Sequence, residues 1–193
     1  MQETDLICLS HIRWDQAPGR VVELVTRAAR DRRVFFVEDV VYETTPRPYL
    51  SFRRTRDGVL IAVPTLQPAT GPRRGNSQQR ELINHLLGFQ GIRRHVLWLW
   101  NPAALAFTDH LAADAIIYDG IDRPATPELV LGAADVVLAA TPGAYQANRS
   151  VHPNVHLMAD ASDAAGWDRV WAAIQRQIDR AVDARQAPVA IAR

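Results

Sequence analysis

Lysine is absent from this chain of 193 residues; all 22 basic side chains are arginine. Schiff-base catalysis and a lysine-dependent phosphate loop are therefore excluded. Cysteine is nearly absent too. Cys8 stands alone, so no intramolecular disulfide can form and a reducing compartment is expected. The ten glycines never recur two positions apart, which rules out the dinucleotide fingerprint G-x-G-x-x-G. None of the five serines lies in a G-x-S-x-G elbow, and one cysteine among scattered histidines offers no zinc signature. No metal and no cofactor are expected. No apolar run approaches the roughly 20 residues needed to cross a bilayer. The opening Met-Gln-Glu-Thr-Asp also lacks a basic segment followed by an apolar one. The expected location is cytoplasmic, with peripheral contact at the inner face of a membrane as its outer limit. The net charge of +1 provides no drive toward nucleic acid, and none is expected as a partner.

What is present fits one ordinary domain, with 48% hydrophobic and 22% charged residues. Short Val/Ile/Leu-rich runs alternate with segments of helical period, the pattern of βα units around a mainly parallel sheet. Expected strands are Leu6 to Ser10, Val34 to Glu38, Val96 to Trp100, Ala115 to Tyr118, Val136 to Ala140 and Val155 to Met158. Their near-continuous apolar character predicts helices on both faces. Tyr49 to Arg53 and Val59 to Pro64 flank the turn signal Arg56-Asp57-Gly58 and read as an antiparallel hairpin, followed by a loop over Gln67 to Asn76. Arg20 to Arg30 has helical periodicity. Asn76 reads as the N-cap of a second helix that ends near Gly88 or Gly91. Thr141-Pro142 opens a third. A last helix carries Trp167, Val170, Trp171, Ile174, Ile178 and Val182 on one stripe.

The predicted fold is thus a single Rossmann-like three-layer α/β domain over residues 1–160, with a mainly parallel sheet and a β-hairpin extension. A C-terminal closing helix within 161–193 packs back on it. In such sheets ligands lie beyond the strand C-termini. There the sequence places His11, Arg13, Trp14 and Asp15 after the first strand, then Glu38 and Asp39, Asn101, Asp119 with Asp122, and Thr141. His11, with Asp15 setting its tautomer, has the chemistry of a general base on a hydroxyl. Arg13 and Arg20 have that of anion holders. Trp14 reads as a packing lid, while Cys8, His85 and His95 read as structural. The arginine runs Arg53-Arg54-x-Arg56 and Arg73-Arg74 are candidate contacts for an anionic membrane. Trp14, Trp98 and Trp100 are expected to leave an apolar patch on the crevice rim that invites association.

The run Asp5 to Arg20, the strand Val34 to Glu38, Val96-Leu97-Trp98 with Pro102 and Phe107 to Leu111, Tyr118-Asp119 with Asp122, and His152 to His156 are collinear with a known pattern. Together they resemble the N-terminal half of bacterial GT-B glycosyltransferases of the family-4 type. The resemblance covers roughly residues 4 to 158. It implies an acceptor-binding Rossmann-like domain facing a second domain that binds a nucleotide sugar. Catalytic roles are then implied for His11 and Asp15, and substrate binding for Arg13, Trp14, Arg20, Glu38, Asn101, Asp119 and Asp122. The chain departs from the pattern in its first loop, where only Arg20 matches the residues that follow the Trp-Asp pair. It also has no pair of glutamates eight residues apart, the family's donor-side feature. The tail from Gly166 to Trp171 resembles the helix that in two-domain relatives returns to the acceptor domain. The expected function is the acceptor-side half of a nucleotide-sugar-dependent transfer that builds surface polysaccharide or glycolipid. Its partners would be a sugar or glycolipid acceptor, and a donor-domain protein or a second copy of the chain. The alternative is a non-catalytic glycosyltransferase relic that binds a ligand or serves as a scaffold.

Overall fold

The computed structural model describes residues 4–68, 72–120 and 126–187. Nine strands form one sheet: β1 (Asp5–Leu9), β2 (Val34–Val37), β3 (Val41–Tyr42), β4 (Tyr49–Arg54), β5 (Leu60–Leu66), β6 (His95–Leu99), β7 (Ala115–Asp119), β8 (Val136–Ala139) and β9 (Val155–Leu157). Among the described residues six α-helices accompany the sheet: α1 (Gly19–Asp31), α2 (Pro72–Gln90), α3 (Leu105–Thr108), α4 (Glu128–Ala133), α5 (Pro142–Arg149) and α6 (Ala164–Gln186). The strand order through the parallel body is β5-β2-β1-β6-β7-β8-β9. The order reverses between β1 and β6, the switch point at which doubly wound sheets open a crevice. β4 pairs antiparallel with β5 along Leu60 to Thr65. It therefore fills one edge of β5, and the parallel partners β2 and β3 share the other edge in succession.

Side chains alternate faces along each strand, and every residue of β1, β2, β6 and β8 is buried. Leu6, Cys8, Phe36, Trp98, Ile117 and Leu138 lie in the core beneath α1 and α6. Ile7, Leu9, Phe35, Val37, Leu97 and Val137 lie in the core beneath α2, α3 and α4. Continuous apolar runs arise because both faces are covered, as the sequence pattern predicts. Cys8 is fully buried, and burial pushes its thiol pKa up.

Two helix starts show how local signals are weighed. Thr141 caps α5 by accepting the Ala144 N–H at 3.2 Å, with Pro142 in the first helical position. Asn76, by contrast, does not begin α2. The helix starts one turn earlier at Pro72, where a missing N–H costs nothing, and the burial of Gly75 and Gln78 draws that extra turn into the structure. At its other end Gly91, with a φ of 61°, lets the Ile92 N–H reach the Leu87 carbonyl at 2.9 Å.

α6 runs back over the sheet, packing on α1, β7 and β8. Trp171 stacks on Trp98 at 6.1 Å and donates its indole N–H to Asp31 at 2.9 Å. Arg27 of α1 donates to Asp168 at 2.7 Å and to the Ala164 carbonyl at 3.0 Å. The apolar stripe thus fixes the layer, and these polar contacts fix its register along α1.

Candidate functional site

The switch-point rule places a ligand crevice beyond the C-terminal ends of β1 and β6, where the Trp100 and Asn101 amides both donate to the Leu9 carbonyl, at 3.0 and 3.3 Å. From Leu9 the chain turns at once: the Ile12 N–H donates to the Ser10 hydroxyl at 3.0 Å, and Trp14–Gln16 forms a 3-10 turn. Pro18 then leads into α1. Glu38, one residue past β2, anchors this loop. Its side chain is 5% exposed, and its Oε1 accepts the Trp14 N–H at 3.0 Å and the Arg53 guanidinium at 2.9 Å. Arg53 also reaches Asp15 at 3.2 Å. One arginine from β4 therefore joins two carboxylates from two other segments, and a rim cluster of Asp15, Glu38 and Arg53 results. The Trp14 ring packs edge-on against Phe36 at 5.0 Å, the geometry of a lid over the core.

A second cluster lies beneath the rim. Arg20, in the first turn of α1, donates to Asp119 at 3.1 Å, to Asp160 at 2.9 Å and to the Met158 carbonyl at 2.6 Å. Asp119 is fully buried. Burial raises its pKa above the usual carboxylate value. Arg20 opposes that rise, as does the Trp100 indole, whose N–H faces Asp119 without reaching hydrogen-bond geometry. Burial alone would lower the Arg20 pKa; pairing with Asp119 and Asp160 outweighs it and leaves the guanidinium firmly charged. The cluster ties the start of α1 to the end of β7 and to the link between β9 and α6. Arg20 is committed to internal partners, not presented to the crevice.

The other site residues named from sequence separate as follows. His11 and Arg13 are exposed in the loop after β1, and Asp39 is exposed after β2. Asn101 caps the 3-10 turn Pro102–Ala104 by accepting the Ala103 N–H at 3.0 Å. Asp122 lies outside the described residues. The expected tryptophan patch does not form. Trp98, in β6, and Trp100, just past its end, are 0% and 3% exposed because both pack in the core beneath α1 and α6. The arginine runs also divide. Arg53 is held at the rim, Arg73 and Arg74 open α2 on the crevice side, and Arg54 and Arg56 lie at the end of β4 and in the hairpin turn, toward the opposite end of the strands.

Sequence reasoning did not name Arg53 or Asp160 as members of these clusters. The available signal for Arg53 was its place in a strand expected to pair beside the one ending at Glu38; Asp160 carried none. Among the described residues no group of three or more His, Cys, Asp or Glu is arranged to hold a metal ion.

No protein-family model matches the chain, and no curated protein does either. Among solved structures, a sucrose-phosphate synthase chain from Thermosynechococcus elongatus is similar in fold, with a TM-score of 0.57 and 12% identity over 92% of this chain and 98% of that one.

Proposed function

We propose that this chain forms the acceptor-side wall of a glycosyl-transfer cleft, with the nucleotide sugar brought by a separate donor-binding unit. The observation that carries the reading is the path of α6. After β9 the chain needs only residues 158–163 to reach the helix that closes the domain on α1, and Arg20 holds that link through Met158 and Asp160. The resemblance of residues 4 to 158 to GT-B acceptor domains points the same way.

The rim then has a division of labour. His11 takes the proton from an acceptor hydroxyl as that oxygen bonds to the anomeric carbon. The bond to the diphosphate breaks, and the leaving group keeps the electron pair. Stabilising that charge needs cationic groups or a helix N-terminus on the donor-binding unit. Asp15, paired with Arg53, accepts a hydrogen bond from a sugar hydroxyl in this reading, and Arg13 binds an anionic substituent.

A second reading, a non-catalytic ligand-binding or scaffold protein, draws on the commitment of Arg20, Asp119 and Glu38 to internal partners. Calorimetry and transfer assays separate the two. The first reading expects the chain to bind oligosaccharide but not nucleotide sugar, and expects transfer when a donor-binding partner is added, abolished by His11→Ala. Tight nucleotide-sugar binding by the chain alone would refute the division of labour. Saccharide binding with no transfer in any co-purified complex would favour the scaffold.

A further inference from the structure

The net charge of +1 conceals a strong asymmetry. Residues 44–94, which contain β4, β5 and α2, carry nine arginines and two acidic side chains, a charge of +7, while the rest of the chain carries thirteen arginines and nineteen acidic side chains, a charge of −6. Part of the positive charge is answered locally: Arg53 pairs with Asp15 and Glu38, Arg80 with Asp109, and Arg94 with Asp114. The unanswered part includes three arginines that the topology brings to the end of the sheet opposite the crevice, where the hairpin turn also carries the exposed Asp57. Arg54 ends β4 beside Leu60, the first residue of β5, and donates only to the Gly58 carbonyl, at 2.9 Å. Arg56 lies in the hairpin turn and Arg93 just beyond α2; both are exposed and neither has an ion pair among the described residues.

An aromatic group stands at the same end. Phe89, in the last turn of α2, is 66% exposed, with its ring stacked near Phe52 of β4 at 5.9 Å and His85 at 5.8 Å. Phe52 and Arg54, two residues apart, share the face of β4 on which α2 lies. The end of a helix and the turn of a hairpin thus lie at one end of the sheet, carrying an exposed ring and guanidinium groups that have no ion pair among the described residues.

We propose that this end docks on an anionic lipid bilayer, with Phe89 entering the headgroup layer and Arg54, Arg56 and Arg93 meeting lipid phosphates. Aromatic rings and arginine are suited to that interface, where a ring meets apolar matter and guanidinium groups meet anionic heads. A single-stranded nucleic acid would instead require a groove with several rings for successive bases. The proposal goes beyond the crevice reading and does not depend on it.

Co-sedimentation with vesicles, in the absence of any sugar, tests it. The chain is expected to bind phosphatidylglycerol-containing vesicles at low salt and to ignore pure phosphatidylcholine. Replacing Arg54, Arg56 and Arg93 together with Gln lowers partition by about 100-fold, at roughly fivefold per arginine. Phe89→Ser lowers it several-fold with the charge intact. Arg73→Gln with Arg74→Gln, at the crevice end, changes it by less than about threefold, below the cost of a single docking arginine. All these side chains are exposed, and an unchanged melting temperature confirms folding. The proposal fails if anionic vesicles are not bound, if the Arg73 and Arg74 pair costs as much as the triple variant, or if an oligonucleotide displaces the chain from vesicles through these same arginines. Failure would leave the crevice reading untouched, because saccharide binding is measured separately.

Discussion

Arg20 and Asp119 form an ion pair at 3.1 Å in which the two side chains are 2% and 0% exposed, between the first turn of α1 and the last residue of β7. Removing one partner strands a buried charge. Arg20→Ala is expected to destabilise the protein by about 3–5 kcal/mol in urea denaturation. Asp119→Asn, which leaves a neutral group that still accepts a hydrogen bond, is expected to cost less. A loss below about 1 kcal/mol for Arg20→Ala would show that the clamp is not structural.

Glu38 holds the loop after β1 through the Trp14 amide and Arg53. Glu38→Gln keeps an acceptor for that amide, whereas Glu38→Ala removes both contacts. Hydrogen exchange at the Trp14 amide should therefore accelerate at least tenfold in the alanine variant, about 1.4 kcal/mol of lost protection, and much less in the glutamine variant. Equal acceleration in both would assign the anchoring to charge alone.

His95, at the start of β6, is buried with neither ring nitrogen hydrogen-bonded. Burial lowers its pKa, with Asp114 and Asp5 pulling weakly the other way. A histidine whose folded pKa is depressed binds fewer protons when folded, so its stability contribution is complete above about pH 6.5 and declines as acid approaches the folded value. Acidification from pH 7 to 5 should lower the urea midpoint, and His95→Leu should flatten that slope. His156, lowered by burial and by Arg180, accounts for part of what remains. An unchanged slope in His95→Leu would place the acid sensitivity elsewhere.

Gly166 lies in the first turn of α6, where a Cβ would stand 2.7 Å from the Ala161 Cβ and 3.0 Å from the Asp163 carboxylate that caps the helix at 2.6 Å. Gly166→Ala, a change that favours helix by about 1 kcal/mol in isolation, should here lower the melting temperature. A rise would show that the link from β9 gives way freely.

The body of the sheet was legible because each strand is covered on both faces, which writes burial as an unbroken apolar run in β1, β2, β6 and β8. β3 has two residues and α4 six with only Val130 buried, too short for any period to register. The site was half legible. Glu38 and Asp15 sit at strand ends where open sheets place ligand contacts, but their link through Arg53 depends on the register of β4, β5 and β2, which local sequence does not encode. Arg20 was read as an anion holder because its position faces the strand ends. Its true partners, Asp119 and Asp160, lie 99 and 140 residues away in the chain.

The stacking of Trp171 on Trp98 also sets a timetable for synthesis. α1 and Trp98 of β6 leave the ribosome well before α6, so the part of this face that α1 does not cover waits exposed until α6 arrives. The slow step in folding is therefore expected to be the docking of α6, a closure between elements well over a hundred residues apart in the case of α1. A nascent chain stalled before Trp167 should hold its α2-side core formed and its Trp98 face exposed, the state most in need of a chaperone.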